Sequence, residues 1–229
     1  MPHRAPAPPP GYQTKTETIR TLGADLQLRS LLNRQQFHDP HGEAERAGIF
    51  EAQWPLFGLL WPSGLVLADS MLTHDLAGKR VLELGCGLAL ASLVVHRRGG
   101  DITASDRHPL TEAFLLENLK LNQLGAMKYT TGDWAGSSNA LGKFDLIIGS
   151  DVLYDRDMPR LLSGFINRHS SDVVEVLIVD PNRGNRASFN RKMDRLGYAH
   201  THVSLSALPS EGGPYKGRLL SYRRDITPR

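Results

Sequence analysis

The residues best suited to chemistry begin in one short stretch, "VLELGCGLALASL" over 81–93, where Glu83 stands two positions before Gly85 and Gly87. An apolar strand running into a glycine turn and then a helix is the pattern of a nucleotide-binding crevice. A dinucleotide turn carries a third glycine, in G-x-G-x-x-G, for close helix–strand packing beside a pyrophosphate. That position is Leu90, and no Gly-Lys-Ser/Thr follows, so neither a dinucleotide turn nor a P-loop is present. Three more carboxylates sit at suitable spacings. Asp106 lies about 20 residues after the glycines, where an acid accepts both ribose hydroxyls. Asp133, beside Trp134, offers an acceptor for an exocyclic amine next to an aromatic face, and Asp151 closes the apolar run "FDLIIGSD".

These residues need a scaffold that gathers them. Apolar runs predict strands at "RVLELGC", "DITASD", "KYTTGDW", "FDLIIGSDV" and "VVEVLIVD", with helices between them at "LALASLVVHRR", "PLTEAFLLENLKLNQL", "DMPRLLSGFINRHS" and "RASFNRKMDRLG". Strands alternating with helices imply a parallel sheet covered on both faces. Ligands of such sheets lie at the carboxyl ends of the strands, where all four acids fall. The last two runs, "YAHTHVSLSAL" and "GRLLSYRRDI", have no helix between them and predict an antiparallel hairpin closing one edge. The expected fold is α/β, a doubly wound Rossmann-like seven-stranded sheet with an N-terminal β-hairpin extension.

Ahead of the sheet, residues 1–11 are Pro-rich and read as a disordered lead-in. Residues 12–60 form the extension: a hairpin around Leu22–Asp25, the polar loop "FHDPHGEAERAG", and the start of an apolar helical stretch. Pro62 suits the first turn of a helix. The main domain, which carries the sheet, is expected over 61–229.

Composition narrows the classes. The chain has 229 residues, a net charge of +3 and one cysteine, Cys86. One cysteine excludes an internal disulfide and any cysteine cage for metal. The mild positive charge falls short of the clustered excess of a nucleic-acid binder. The basic residues Arg183, Arg186, Arg191, Lys192 and Arg195 read as a solvated helix face, and "HTH" at 200–202 lacks a third ligand for a metal site. No secretory signal or membrane-spanning run of consecutive apolar residues is evident, so a cytoplasmic protein is expected, with a monomer as default.

With these motifs in order, the chain resembles the seven-β-strand S-adenosylmethionine-dependent methyltransferases. More narrowly, "LLWPSGLVLADSM", "VLELGCGLAL", "ITASD", "GDW", "FDLIIGSDVLYD" and "VDPNRG" look like the family-16 protein-lysine methyltransferases. The resemblance implies S-adenosylmethionine as cofactor and a lysine of a protein as acceptor. It places Gly85 and Gly87 beside the methionine part of the cofactor, with Glu83, Cys86 and Ser150 in the same contact set. It assigns Asp106 to the ribose, Asp133 to the adenine amine, Trp134 to the adenine ring and Trp61 to the methionine end. Asp151 to Tyr154 match the D/E-x-x-Y/F signature beside the acceptor, Asp151 for docking and Tyr154 as a wall. Cys86 reads as a small packing residue, not a nucleophile. Many relatives have G-x-G-x-G where this chain has Ala89, which costs on the order of 1 kcal/mol if that residue must adopt positive φ. Methylation of a small-molecule amine, or a non-catalytic cofactor-binding scaffold, are the alternatives. Base methylation in nucleic acid is disfavoured, because its Asn/Asp-Pro-Pro-Tyr/Phe strand end is replaced by Asp151-Val152-Leu153-Tyr154.

Overall fold

The computed structural model describes residues 11–20, 25–208 and 213–226. The lead-in over 1–10 and the hairpin turn at 21–24 lie outside the described residues. The chain opens with β1 (Thr14–Ile19) and β2 (Leu26–Leu31), paired antiparallel as a separate two-stranded ribbon. A short helix α1 (Glu43–Arg46) and a 3-10 helix (Glu51–Gly58) lead into α2 (Pro62–Thr73). Then follow β3 (Arg80–Leu84), α3 (Leu90–Arg97), β4 (Asp101–Asp106), α4 (Thr111–Leu121), β5 (Lys128–Thr131) and β6 (Phe144–Ser150). The chain continues through α5 (Met158–His169), β7 (Ser170–Asp180), α6 (Arg186–Arg195), β8 (Ala199–Ala207) and β9 (Pro214–Asp225).

The seven-stranded sheet has the order β5-β4-β3-β6-β7-β9-β8. Strands β3 to β7 are mutually parallel, while β9 pairs antiparallel with both β7 and β8. The order reverses between β3 and β6, so the crevice opens at the carboxyl ends of β3, β4 and β6. The central strands bury nearly every side chain: Val81, Leu82, Leu84, Leu146, Ile147 and Ile148 are fully buried, as strands covered on both faces must be. The terminal strand β8 is mostly exposed, with His200 and His202 on its surface.

Two sequence expectations change. The loop "FHDPHGEAERAG" contains the one-turn helix α1, because Asp39 accepts hydrogen bonds from the N–H groups of Ala44 (3.1 Å) and Glu45 (3.0 Å) and so caps it. The apolar stretch Glu51–Thr73 is long and apolar enough, by length and composition alone, to cross a membrane. In the fold it divides at Leu59–Trp61 into the 3-10 helix and α2, and Trp54, Leu67 and Met71 are buried in the core.

The N-terminal ribbon does not stand apart. Leu26, Leu28 and Leu31 share one core with Trp54, Phe57, Phe114 and Val81. Polar side chains on α4 and at its C-cap also seal the free edge of β2. Asn118 accepts from the N–H of Arg29 (2.7 Å) and donates to its carbonyl (3.3 Å). Asn122 does the same for Gln27, at 2.8 and 2.7 Å. The two amides act as a substitute strand, satisfying backbone groups that an edge would leave open.

Candidate active site

A cleft of about 510 Å³ lies at the switch point, within the range of small-molecule sites. Its lining includes Trp61, Glu83, Gly85, Cys86, Gly87, Asp106, Trp134, Ser150, Asp151 and Tyr154. The fold thus brings together ten of the eleven site residues expected from sequence. The exception is Asp133. It is exposed, and its carboxylate accepts the N–H of Ala135 at 2.9 Å in a local turn, so it lies outside the cleft lining. The strand expected to run to Trp134 stops at Thr131, so Asp133 lies in the loop that follows, where Asp readily turns onto its own backbone.

The turn after β3 is held open by backbone shape. Gly85 and Gly87 have φ of +58° and +51°, and Ala89 joins them at +57°. Ala89 therefore occupies the left-handed region that glycine fills without strain. Space is the second constraint. A Cβ on Gly85 would stand 3.3 Å from the ring of Trp134 and 3.2 Å from Val152. A Cβ on Gly87 would stand 2.9 Å from the carbonyl oxygen of Phe57. The turn is walled by Trp134 on one side and by the 3-10 helix on the other.

Two carboxylates secure this turn from beneath. Glu83 is buried and accepts the N–H of Ser92 at 2.9 Å, with the Ser92 hydroxyl on the same oxygen. Burial raises its carboxyl to about 7, against the opposing pull of those two bonds. Asp106 accepts the N–H of Gly87 through Oδ2 (2.9 Å) and that of His108 through Oδ1 (2.9 Å). Burial again raises its carboxyl above the ordinary value. Each Asp106 oxygen keeps a lone pair for a further donor such as a sugar hydroxyl. Cys86 is buried, its thiol pushed up by desolvation, then by Asp106 and Glu83, so it stays neutral.

Sequence reasoning missed several of the walls. Phe57 of the 3-10 helix stacks on His108 at 3.7 Å between ring centres, and both line the cleft. Burial lowers His108 to about 3, so it is neutral. Its Nδ1 accepts from the N–H of Leu110 (3.2 Å), which leaves the proton on Nε2. That Nε2 and the indole Nε1 of Trp134 are buried without partners. Arg34, from the loop after β2, and Arg183, after β7, also reach the cleft. Only His108 had a local signal, two residues after Asp106.

Arg183 departs furthest from expectation. It precedes α6 and stays exposed, as expected, but it also grips Asp151 with a bidentate fork, Nε to Oδ1 at 2.7 Å and Nη2 to Oδ2 at 2.6 Å. Asp151 itself has φ of +55°, and its N–H donates to Val179 at 2.8 Å, tying it to the end of β7. Trp61 donates from Nε1 to the carbonyl of Leu56 at 2.8 Å, which fixes its indole at the cleft.

The lysine methyltransferase family matches residues 56–195. The chain belongs to that family. Among relatives, the electron transfer flavoprotein beta subunit lysine methyltransferase of Mus musculus is 30% identical over 174 residues, covering 74% of this chain and 66% of its own length. The protein N-lysine methyltransferase METTL21A of Danio rerio is 32% identical over 135 residues, covering 54% of this chain and 62% of that protein. This family member thus spans somewhat under two thirds of those relatives. In fold it is similar to the magnesium protoporphyrin IX methyltransferase of Synechocystis with bound SAM, at a TM-score of 0.57 and 19% identity over 71% of this chain and 80% of the other.

Proposed function

We propose that this family member transfers a methyl group from S-adenosylmethionine to a lysine side chain of a protein. The observation that carries the reading is the meeting of Asp106, Asp151 and Tyr154 around one cleft in a chain of the lysine methyltransferase family. The cleft suits that cofactor chemically. Asp106 has lone pairs for a ribose diol, Trp134 presents an aromatic face, and the turn residues Gly85 and Gly87 leave room that any Cβ would reduce. The unpartnered Nε1 of Trp134 and Nε2 of His108 are donors of the kind a heterocycle's nitrogens can satisfy.

The bound sulfonium supplies an activated methyl group and a neutral thioether leaving group. The protein's task is to position the acceptor and keep it deprotonated. A lysine must give up its proton first, at a cost of roughly 4–5 kcal/mol at neutral pH. Asp151 and Tyr154 would hold the neutral amine with its lone pair toward the methyl group that the cofactor would supply, and the surplus proton of the methylated amine would pass to water. Asp151 accepts from the amine and fixes its direction, while Tyr154, at 41% exposure, walls the entry. Positioning of this sort is a large share of what such a displacement requires.

The test is incubation with radiolabelled methyl donor and cell lysate, with the electron transfer flavoprotein beta subunit, named for the mouse relative, as the first purified candidate. Label on a lysine of one protein supports the reading. Label confined to small molecules overturns it. A reducing cytoplasmic setting, which the single free thiol suits, is part of the same proposal.

A further inference from the structure

A carboxylate beside a lysine acceptor poses a problem of sign. Its charge favours the ammonium, yet only the neutral amine reacts. The structure contains a remedy in Arg183, 32 residues beyond Asp151 in sequence. The Asp151 side chain is 12% exposed and the Arg183 side chain 42%, so the pair sits at the cleft wall with its outer face open. The fork uses one lone pair on each carboxylate oxygen, and about two lone-pair sites remain for another donor. Asp151 can therefore direct an N–H while its charge is already matched.

We infer that Arg183 is a positioning residue for methyl transfer: by holding Asp151 as an ion pair, it lets the acceptor lysine dock as the free amine near neutral pH. The inference rests on the lysine reading above. Several other ionisable groups surround the pair. Tyr154 and Asp155 follow β6, Asp106 ends β4 and Arg107 follows it, Asp180 ends β7, Arg186 starts α6, and Tyr215 belongs to β9. Burial keeps both phenols protonated, and it also raises the Asp180 carboxyl. Asp180 and Arg183 are bound to one turn, the Arg183 N–H donating to Asp180 Oδ1 at 3.4 Å. Arg34 and Arg107 line the same cleft, while Arg186 and Arg218 of β9 face Asp180; none of these charges changes when Arg183 is replaced, so its removal leaves the neighbourhood more negative by one charge. A more negative site holds the ammonium more tightly and moves the reaction to higher pH.

The experiment uses the full chain, radiolabelled S-adenosylmethionine and the electron transfer flavoprotein beta subunit, or the lysate protein that takes label. Initial rates are measured from pH 6 to pH 10. Arg183→Gln should lower the rate about tenfold at pH 7 and recover most of it above pH 9, a shift of about one pH unit in the profile. Cofactor affinity by calorimetry should stay within about threefold. Asp151→Asn combined with Arg183→Gln should return the midpoint to that of the unaltered protein, because one anion and one cation are removed together and the net charge of the site is restored. Arg183→Lys should keep the midpoint and lose rate evenly, since it retains the charge but not the fork. A loss with Arg183→Gln that is equal at every pH, or an unchanged profile, overturns the inference and leaves the lysine reading standing. Absence of lysine label with the unaltered protein overturns both.

Discussion

Gly87 lies directly beneath the carbonyl of Phe57, so that any Cβ at this position would sit 2.9 Å from that oxygen. The obstacle is backbone, which cannot swing aside as a side chain does, and φ at Gly87 is +51°. Gly87→Ala should therefore lose about 2 kcal/mol of stability and most of its cofactor affinity. Thermal melting and calorimetry read the two losses separately. An alanine variant that binds S-adenosylhomocysteine normally would show that the 3-10 helix yields more easily than this contact implies.

Ala89 gives the opposite expectation. It holds φ of +57° at the N-cap of α3 without a capping side chain. Ala89→Gly should relieve on the order of 1 kcal/mol, visible as a melting temperature raised by roughly 2–4 °C. No gain, or a loss, would mean that glycine's extra freedom in the unfolded chain cancels the relief.

Asp151 and Tyr154 should separate chemistry from binding. Asp151→Asn keeps a residue type that tolerates the left-handed region, and it should cut lysine methylation at least about tenfold while cofactor affinity changes less than about threefold. Tyr154→Phe should show the same split with a smaller loss. Equal losses of turnover and affinity in either variant would remove that residue from the acceptor side.

The pH response of the cofactor-free protein should report Glu83. Its carboxyl is raised from 4.5 to about 7 in the fold, so the unfolded chain releases this proton first as pH rises. Stability from this group is fully present below about 4.5 and declines up to about 7, by on the order of 3 kcal/mol. Glu83→Gln can still accept from Ser92 and should flatten that decline. Melting curves from pH 5 to pH 8 test this, and parallel slopes in both proteins would refute it.

Asn118 should matter to the N-terminal ribbon far more than an asparagine on a helix usually does. Asn118→Ala strips partners from both backbone groups of Arg29, at a cost of about 2 kcal/mol, or roughly 4–8 °C in melting temperature. Hydrogen exchange at Arg29 should rise with it. Unchanged exchange there would mean that water or a shifted α4 replaces the amide.

What the sequence determined by itself follows from short-range rules. Strand–helix alternation, the run from Glu83 to Gly87, and acids at successive strand ends specify a crevice whatever the packing details, because a parallel sheet must place its strand ends together. "DITASD" forms β4 without a residue's difference, since its apolar run and its terminal acid mark both ends. Tertiary structure alone decided which side chains face into the crevice. Asp133 looks as good as Asp106 in sequence, yet it closes on Ala135 and stays outside. Arg183 looks like one basic residue among several, yet the β7–α6 turn carries it to Asp151. Phe57 and Arg34 arrive from the N-terminal extension by routes with no sequence periodicity. The direction of a side chain in a loop depends on contacts with residues distant in the chain, and those exist only once the chain has folded.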